Sequence, residues 1–70
     1  MPEVMLRINE QGNLLCYVAK KDLETVVQAV EFDQEDRWGG TFHLANGEKF
    51  YLDPLPAKPR IPVTLRMRKL

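Results

Sequence analysis

The clearest pattern of hydrophobic and polar positions surrounds Asn46-Gly47, a dipeptide typical of tight β-turns. A two-residue loop at this dipeptide would scatter apolar residues over both faces of a hairpin. A three-residue loop over residues 45–47, with Gly47 in the left-handed conformation, instead separates a dry face from a wet face. The dry face then carries Phe42, Leu44, Phe50 and Leu52, and the wet face carries Thr41, His43, Lys49 and Tyr51. We therefore predict a half-buried antiparallel hairpin in this register.

The N-terminal part of the chain predicts a second hairpin around a polar turn at residues 9–13. The strand before this turn has alternating apolar residues that we place inward: Val4, Leu6 and Ile8. The strand after it is a nearly continuous apolar run over residues 14–19. In that run we place three residues inward, namely Leu14, Cys16 and Val18, and expect Tyr17 to be partly exposed.

Residues 23–32 follow a polar corner at Lys20-Lys21-Asp22. Their apolar residues fit both a helical and a strand periodicity. Helical spacing is matched by Leu23, Val26, Val27 and Val30, whereas strand alternation is matched by Val26, Gln28, Val30 and Phe32. Asp22 could cap a helix. The β-branched and aromatic composition suits a pleated surface better, so we predict a strand.

The remaining segments complete a strand-rich pattern. Residues 33–37 are predicted to form a charged loop, and Trp38-Gly39-Gly40 leads into the hairpin at residues 41–52. Residues 54–60 contain three prolines and should cross the surface in an extended form. A last strand follows, with four alternating apolar residues expected inside: Ile61, Val63, Leu65 and Met67. Pro62 cannot donate to a sheet, so it should lie at an open edge or at a strand start.

Five or six short strands in 70 residues bury their inward faces most simply by curling into a small barrel. We predict an all-β fold, a small closed or partly open antiparallel barrel, with residues 1–70 forming one domain. A domain of this size buries only about 60% of the surface of its unfolded chain. Such a chain has little room for both a core and a deep pocket, which favours a binding or accessory role over self-contained catalysis.

Composition bears on the cellular location. The single Cys16 cannot form an internal disulfide, so nothing points to an oxidising compartment. Residues 1–5 lack the basic start of a signal peptide, and no apolar run approaches the ~18 residues of a membrane span. We therefore expect a cytoplasmic protein without a membrane partner.

The net charge is zero, which argues against a dedicated nucleic-acid-binding domain. The charges are nevertheless segregated. Six acidic residues lie in residues 22–36 without a basic residue, and the chain after Asp53 carries five basic residues without an acidic one: Lys58, Arg60, Arg66, Arg68 and Lys69. Either these charges solvate loops and edges, or they form a surface for a partner.

The sequence offers little for catalysis or metal binding, and we predict no cofactor, metal or catalytic residue. One Cys and one His cannot supply the three or four ligands of a zinc site. His43 belongs to the wet face of the predicted hairpin, whereas an inward Cys16 would be a small hydrophobe rather than a thiolate. The acidic residues between 22 and 36 form no opposed pair, and no glycine-rich phosphate loop is present.

Trp38 admits two interpretations. Beside two glycines it could form a structural corner, or beside an acidic loop it could be an aromatic anchor for a partner protein. Replacement by alanine would weaken complex formation in the second case and unfold the isolated chain in the first.

Four motifs in order give a family resemblance. They are Lys20-Lys21-Asp22-Leu23-Glu24, Trp38-Gly39-Gly40-Thr41, Leu44-Ala45-Asn46-Gly47 and Arg60-Ile61-Pro62-Val63-Thr64, followed by a basic end. In order and spacing the chain resembles the NifT/FixU family over nearly its whole length. It departs from the family pattern at Ala19, where a proline is expected, and in a loop at residues 32–37 about two residues longer than usual. The family's proline after Asp-Leu is also absent, which favours a strand at residues 25–32.

The resemblance implies a small barrel-like fold and a non-enzymatic accessory protein associated with nitrogen fixation. It implies binding to another protein of that machinery, in nitrogenase maturation or regulation. We name four candidate partner-binding residues: Trp38, Arg60, Arg66 and Arg68. The alternative is a nucleic-acid-binding small barrel in which Tyr51 and the basic residues Arg66, Arg68 and Lys69 contact a strand. The oligomeric state and the identity of the partner do not follow from the sequence.

Overall fold

A computed structural model describes residues 3–70, which are folded into seven antiparallel strands and one short 3-10 turn at Ala19–Lys21. The strands are β1 (Glu3–Ile8), β2 (Leu14–Val18), β3 (Leu23–Gln34), β4 (Arg37–Leu44), β5 (Lys49–Leu55), β6 (Val63–Arg66) and β7 (Arg68–Lys69). The prediction of an all-β fold is confirmed. Over the described residues, no helix has the length and apolar character needed to cross a bilayer.

The sheet curls into a nearly closed barrel with the strand order β6-β1-β2-β3-β4-β5-β7. Strands β6 and β7 are separated only by Met67, and they pair with β1 and β5 respectively. The last segment of the chain therefore joins the two edges of the sheet. Met67 itself is fully buried and interrupts the pairing, which divides one predicted strand into two. This interruption accounts for seven strands where five or six were expected.

The first hairpin forms as predicted, with Leu6 opposite Cys16 and Val4 opposite Val18. Both of these pairs are buried, and Tyr17 is partly exposed. Ile8 departs from the expected inward pattern, because 49% of its surface is exposed. It is the last residue of β1 and lies at an end of the barrel, where it pairs with Leu14 of β2 but lies beyond the pairing with β6, which ends at Leu6.

The central hairpin has the predicted register, with Phe42 opposite Phe50 and His43 opposite Lys49. Its loop is closed by the Gly47 N–H, which donates to the Leu44 carbonyl at 3.0 Å, and Gly47 has a φ of +91°. The four predicted dry-face residues are each at most 6% exposed, whereas His43 and Lys49 are exposed. Turn chemistry and patterning thus agree on one arrangement.

Strand β3 explains why residues 23–32 fit two periods. The strand prediction is confirmed, but the inward residues are Leu23, Val27 and Val30, and Gln28 is exposed. The pairing with β4 shifts register between Val27 and Ala29, a β-bulge that moves the inward phase by one residue. A bulged strand can therefore show helix-like spacing. Asp22 caps no α-helix and instead ends the 3-10 turn.

Two predicted loop segments are partly strand. Asp33 and Gln34 extend β3, and Arg37 begins β4, so only Glu35 and Asp36 form the turn. The predicted crossover also starts later, because Pro54 and Leu55 belong to β5. The β4–β5 register shifts between Trp38 and Gly40, opposite the part of β5 that contains Pro54. A proline is tolerated at such a bulge because the bulge interrupts the hydrogen-bond ladder, to which proline has no N–H to donate. Pro62 lies directly before β6, at the predicted strand start.

The antiparallel pairings define two ends of the barrel. One end carries the turn at residues 9–13, the turn at 35–36 and the crossover at 56–62, and we call it the crossover end. The other end carries the 3-10 turn, the loop at residues 45–47 and β7, and we call it the lysine end.

Candidate functional site

The outward side of the C-terminal strands presents two of the predicted arginines. Alternation turns Val63, Leu65 and Met67 inward, so Arg66 and Arg68 lie on the outside, and both are exposed. The Arg68 guanidinium carbon lies 5.2 Å from the centre of the Tyr51 ring, on the neighbouring strand β5. An exposed cation–π contact of this kind contributes about 0.5–1 kcal/mol and restricts the arginine side chain.

The register extends this surface across β5 and β4. Arg68 is opposite Tyr51, and the next residues outward along β5 and β4 are Lys49 and His43, which face each other. We define the basic face as His43, Lys49, Tyr51, Arg66 and Arg68. Leu70 continues it, because its N–H donates to the Lys49 carbonyl at 2.9 Å and its side chain is 59% exposed.

The two arginines of the basic face have no carboxylate bound to them in residues 3–70. The ion pairs in this part of the chain join Arg7 to Glu24 at 2.6 Å and Lys69 to Glu48 at 2.7 Å. Glu3 lies opposite Arg66 in the β1–β6 register without forming an ion pair. Arg66 and Arg68 can therefore bind carboxylates or phosphates of another molecule without breaking an internal ion pair.

Arg60 is separated from the other two arginines. It lies in the crossover segment before β6, at the crossover end of the barrel, whereas Arg68 lies at the lysine end. Arg60 is exposed but is not part of the basic face. A partner of ordinary interface size could reach both, so the role of Arg60 stays a prediction.

Trp38 lies in the core. It is 1% exposed and packs edge-on against Phe42, with ring centres 5.3 Å apart and an interplanar angle of 83°. Its indole Nε1–H donates to Oδ1 of Asp33 at 3.1 Å. This placement favours the structural-corner interpretation over the surface anchor, because the ring offers almost no area to a partner.

The structure explains why both residues after Trp38 are glycines. A Cβ on Gly39 would lie 3.0 Å from the Pro54 Cα, and a Cβ on Gly40 would lie 2.6 Å from the Glu31 Oε1. Both glycines have positive φ, +137° and +82°. The same Glu31 oxygen accepts a hydrogen bond of 3.0 Å from the Thr41 N–H, next to the register shift in β3 and β4. The Trp-Gly-Gly motif thus shapes a bulged corner.

Reactive side chains are kept apart. Cys16 is 2% exposed, and burial, followed by the nearby charge of Glu48, raises the pKa of its thiol to about 11. It is therefore protonated at neutral pH and a poor nucleophile. His43 is on the outer face of β4. Residues 3–70 contain no group of three or more His, Cys, Asp or Glu placed to hold a metal ion.

A groove at the lysine end was missed by the sequence analysis. It has a volume of about 830 Å³ and is lined by Glu3, Val18, Ala19, Lys20, Lys21, Phe50 and Lys69. The adjacent lysines before Asp22 were the available signal, but no local pattern indicates that Lys69 joins them. A smaller cleft of about 250 Å³ at the crossover end includes Ile8, Trp38, Lys58 and Ile61 in its lining.

Comparison with known proteins decides the family. The family described as NifT/FixU protein matches residues 1–67 of the chain. The chain belongs to the NifT/FixU family. It is 41% identical to Protein NifT of Azotobacter vinelandii over 69 residues, covering 99% of this chain and 94% of that protein. It is 42% identical to Protein NifT of Klebsiella pneumoniae, covering 94% and 90%, and 40% identical to Protein FixU of Rhizobium leguminosarum bv. trifolii, covering 96% and 91%.

The resemblance inferred from the four motifs is therefore confirmed, and NifT/FixU proteins are associated with nitrogen fixation. No solved structure matches this chain.

Proposed function

We propose that this NifT/FixU protein is a non-enzymatic accessory protein that acts in the cytoplasm, by binding another protein of the nitrogen-fixation machinery through its basic face. The observation that carries the proposal is the pair Arg66 and Arg68, exposed on neighbouring outward positions and free of internal carboxylates within residues 3–70. The stacking of Arg68 on Tyr51 pre-orders one of them. Family membership supplies the association with nitrogen fixation.

The partner surface that fits this face is acidic. Two arginines, one lysine and a tyrosine make a patch on which carboxylates can accept paired hydrogen bonds, and arginine and tyrosine are enriched in interface hot spots. The burial of Cys16 in the core and the position of His43 on the outer face of β4 keep the two side chains apart, which favours binding over nucleophilic or acid–base catalysis.

The test is affinity capture from cells growing on dinitrogen, with the captured proteins identified by mass spectrometry. The bait is the full chain or its Arg66→Glu/Arg68→Glu variant. A matched control is Arg37→Glu/Lys58→Glu, which changes the charge equally at the crossover end. We expect a nitrogen-fixation protein to be captured by the natural chain and the control, and to be lost with Arg66→Glu/Arg68→Glu.

Two results would contradict the proposal. Capture of the same proteins by all three baits would show that the basic face is not the binding surface. Tight binding of single-stranded RNA or DNA at low salt, with a steep salt dependence and lost in Arg66→Glu/Arg68→Glu, would favour the nucleic-acid alternative.

A further inference from the structure

The groove at the lysine end is a second surface, distinct from the basic face. Its mouth is formed by the 3-10 turn Ala19–Lys21 and by Lys69 on β7, and its wall includes Val18 and Phe50. Its volume of about 830 Å³ falls within the range of ligand-binding clefts, about 300–1,000 Å³.

The turn that carries two of these lysines is fixed by the residue after it. Asp22 adopts the left-handed conformation with φ +49°, and its N–H donates to the Ala19 carbonyl at 3.1 Å. The Asp22 carboxylate also accepts a hydrogen bond of 3.1 Å from the Tyr17 hydroxyl. Left-handed backbone is unfavourable for a non-glycine residue, so these contacts hold the turn in a specific shape. Lys20 and Lys21, both on this turn, are thereby held in the lining of the groove.

The charges around the groove are unequally neutralised. Lys69 is paired with Glu48 at 2.7 Å, whereas Lys20 and Lys21 form no ion pair within residues 3–70. Glu3 is the one carboxylate among the lining residues. The groove therefore carries an excess of positive charge at its mouth, and this excess favours an anionic occupant.

The wall of the groove is apolar. Ala19 is the exposed apolar residue of the lining, and the methylene stems of lysines commonly add apolar surface in such a position. Val18 is buried in the core beneath this surface. Phe50 is 1% exposed, so it offers no free ring face on which a nucleic-acid base could stack. A mixed groove of this kind matches carboxylates flanking an apolar side chain better than a phosphate backbone.

We propose that this groove binds an acidic peptide segment of a partner protein, with carboxylates on Lys20 and Lys21 and an apolar side chain against the surface formed by Ala19 and the methylene stems of the lysines. The inference rests on the proposed function only in that the partner is a protein. It names a different surface, at the lysine end of the barrel, and is tested separately.

The test measures binding of a fluorescent synthetic peptide of alternating glutamate and leucine to the full chain. We expect Lys20→Ala/Lys21→Ala to weaken binding by about tenfold or more, because charge-assisted hydrogen bonds are lost. A matched control, Arg37→Ala/Lys58→Ala, removes two exposed positive charges at the crossover end and should leave the affinity within about twofold, as for other distant exposed charges. Circular dichroism of each variant establishes that the barrel remains folded.

The apolar surface of the groove is tested by changing the peptide, because the buried Phe50 beneath it supports the core and its replacement could unfold the chain. Serine in place of leucine should weaken binding, and lysine in place of glutamate should abolish it. When the peptide is titrated into the protein, the largest changes in nuclear magnetic resonance chemical shift should occur at Val18, Lys20, Lys21 and Lys69.

Equal affinity of the natural chain and Lys20→Ala/Lys21→Ala would overturn the proposal. So would shifts concentrated at Tyr51 and Arg68, a result that would leave the proposed role of the basic face intact. Displacement of the peptide by a single-stranded oligonucleotide bound more tightly in the groove would assign the site to nucleic acid instead.

Discussion

Replacement of Trp38 by alanine tests whether this side chain belongs to the core or to a partner surface. Trp38 is 1% exposed, packs against Phe42 with ring centres 5.3 Å apart and donates a hydrogen bond to Asp33. Truncation of a buried tryptophan to alanine costs about 3–5 kcal/mol. Because an aromatic pair and a hydrogen bond are lost together, we expect the upper half of that range.

This cost is large for a domain of this size. At about 0.05–0.15 kcal/mol per residue, the free energy of unfolding is roughly 3.5–10 kcal/mol for the whole chain. The Trp38→Ala variant should therefore be largely unfolded, or have a greatly lowered urea midpoint. Far-UV circular dichroism during urea titration is the appropriate assay, because Trp38 is the chain's single tryptophan and fluorescence loses its reporter in the variant.

Two further variants separate burial from aromatic character. Trp38→Phe keeps a ring beside Phe42 and should lose less stability than Trp38→Ala. Tyr51→Ala removes an aromatic ring from the basic face and should change stability by about 1 kcal/mol or less, since the ring is partly exposed and contributes mainly its contact with Arg68. A Trp38→Ala variant with the natural urea midpoint and cooperativity would refute the assignment of this side chain to the core.

Three other predictions concern the backbone and the buried thiol. Gly40→Ala should lower the free energy of unfolding by about 2–4 kcal/mol, because the new Cβ meets Glu31 at a positive φ of +82°. Gly47 also has a positive φ, +91°, but beyond its chain neighbours no atom lies within 4 Å of the Cβ that alanine would add. Gly47→Ala should therefore lower the free energy of unfolding by only about 1–2 kcal/mol in the same urea titration. Equal losses for Gly40→Ala and Gly47→Ala would contradict the packing argument. Burial raises the pKa of the Cys16 thiol from 9.0 to about 11 in the folded state. The contribution of this buried thiol to the free energy of unfolding is therefore complete below pH 9.0 and is lost as the pH rises towards 11. Unfolding measured across this window should show a loss of roughly 2–3 kcal/mol in the natural chain that is absent in Cys16→Ala, and parallel pH profiles would disprove it.

Local patterning predicted much of the barrel. The central hairpin follows from its turn and from strict alternation, because a one-residue slip would move every apolar side chain to the wet face. The first hairpin, the inward Cys16 and the outward His43 follow from the same period. The family was also available from the order of its motifs.

The corrections lie where alternation is broken by contacts between distant segments. The bulge in β3, the inclusion of Pro54 in β5 and the break at Met67 depend on how neighbouring strands twist and close. Ile8 alternates correctly but is exposed, because it lies at a barrel end, beyond the pairing of β1 with β6. Trp38 could not be assigned from the sequence because a corner residue beside two glycines can face either way.

Alternation, together with the Asn46-Gly47 turn, determined the all-β class, the register of the central hairpin and the outward direction of Arg66 and Arg68. Only the tertiary structure decided that Arg68 stacks on Tyr51, that Arg60 lies away from it, and that Lys69 joins Lys20 and Lys21 around one groove. The physical reason is the distance along the chain between the residues involved. Side-chain alternation is a property of a single strand, whereas closure of the barrel brings together residues nearly 50 positions apart, and their proximity has no signature in the local pattern.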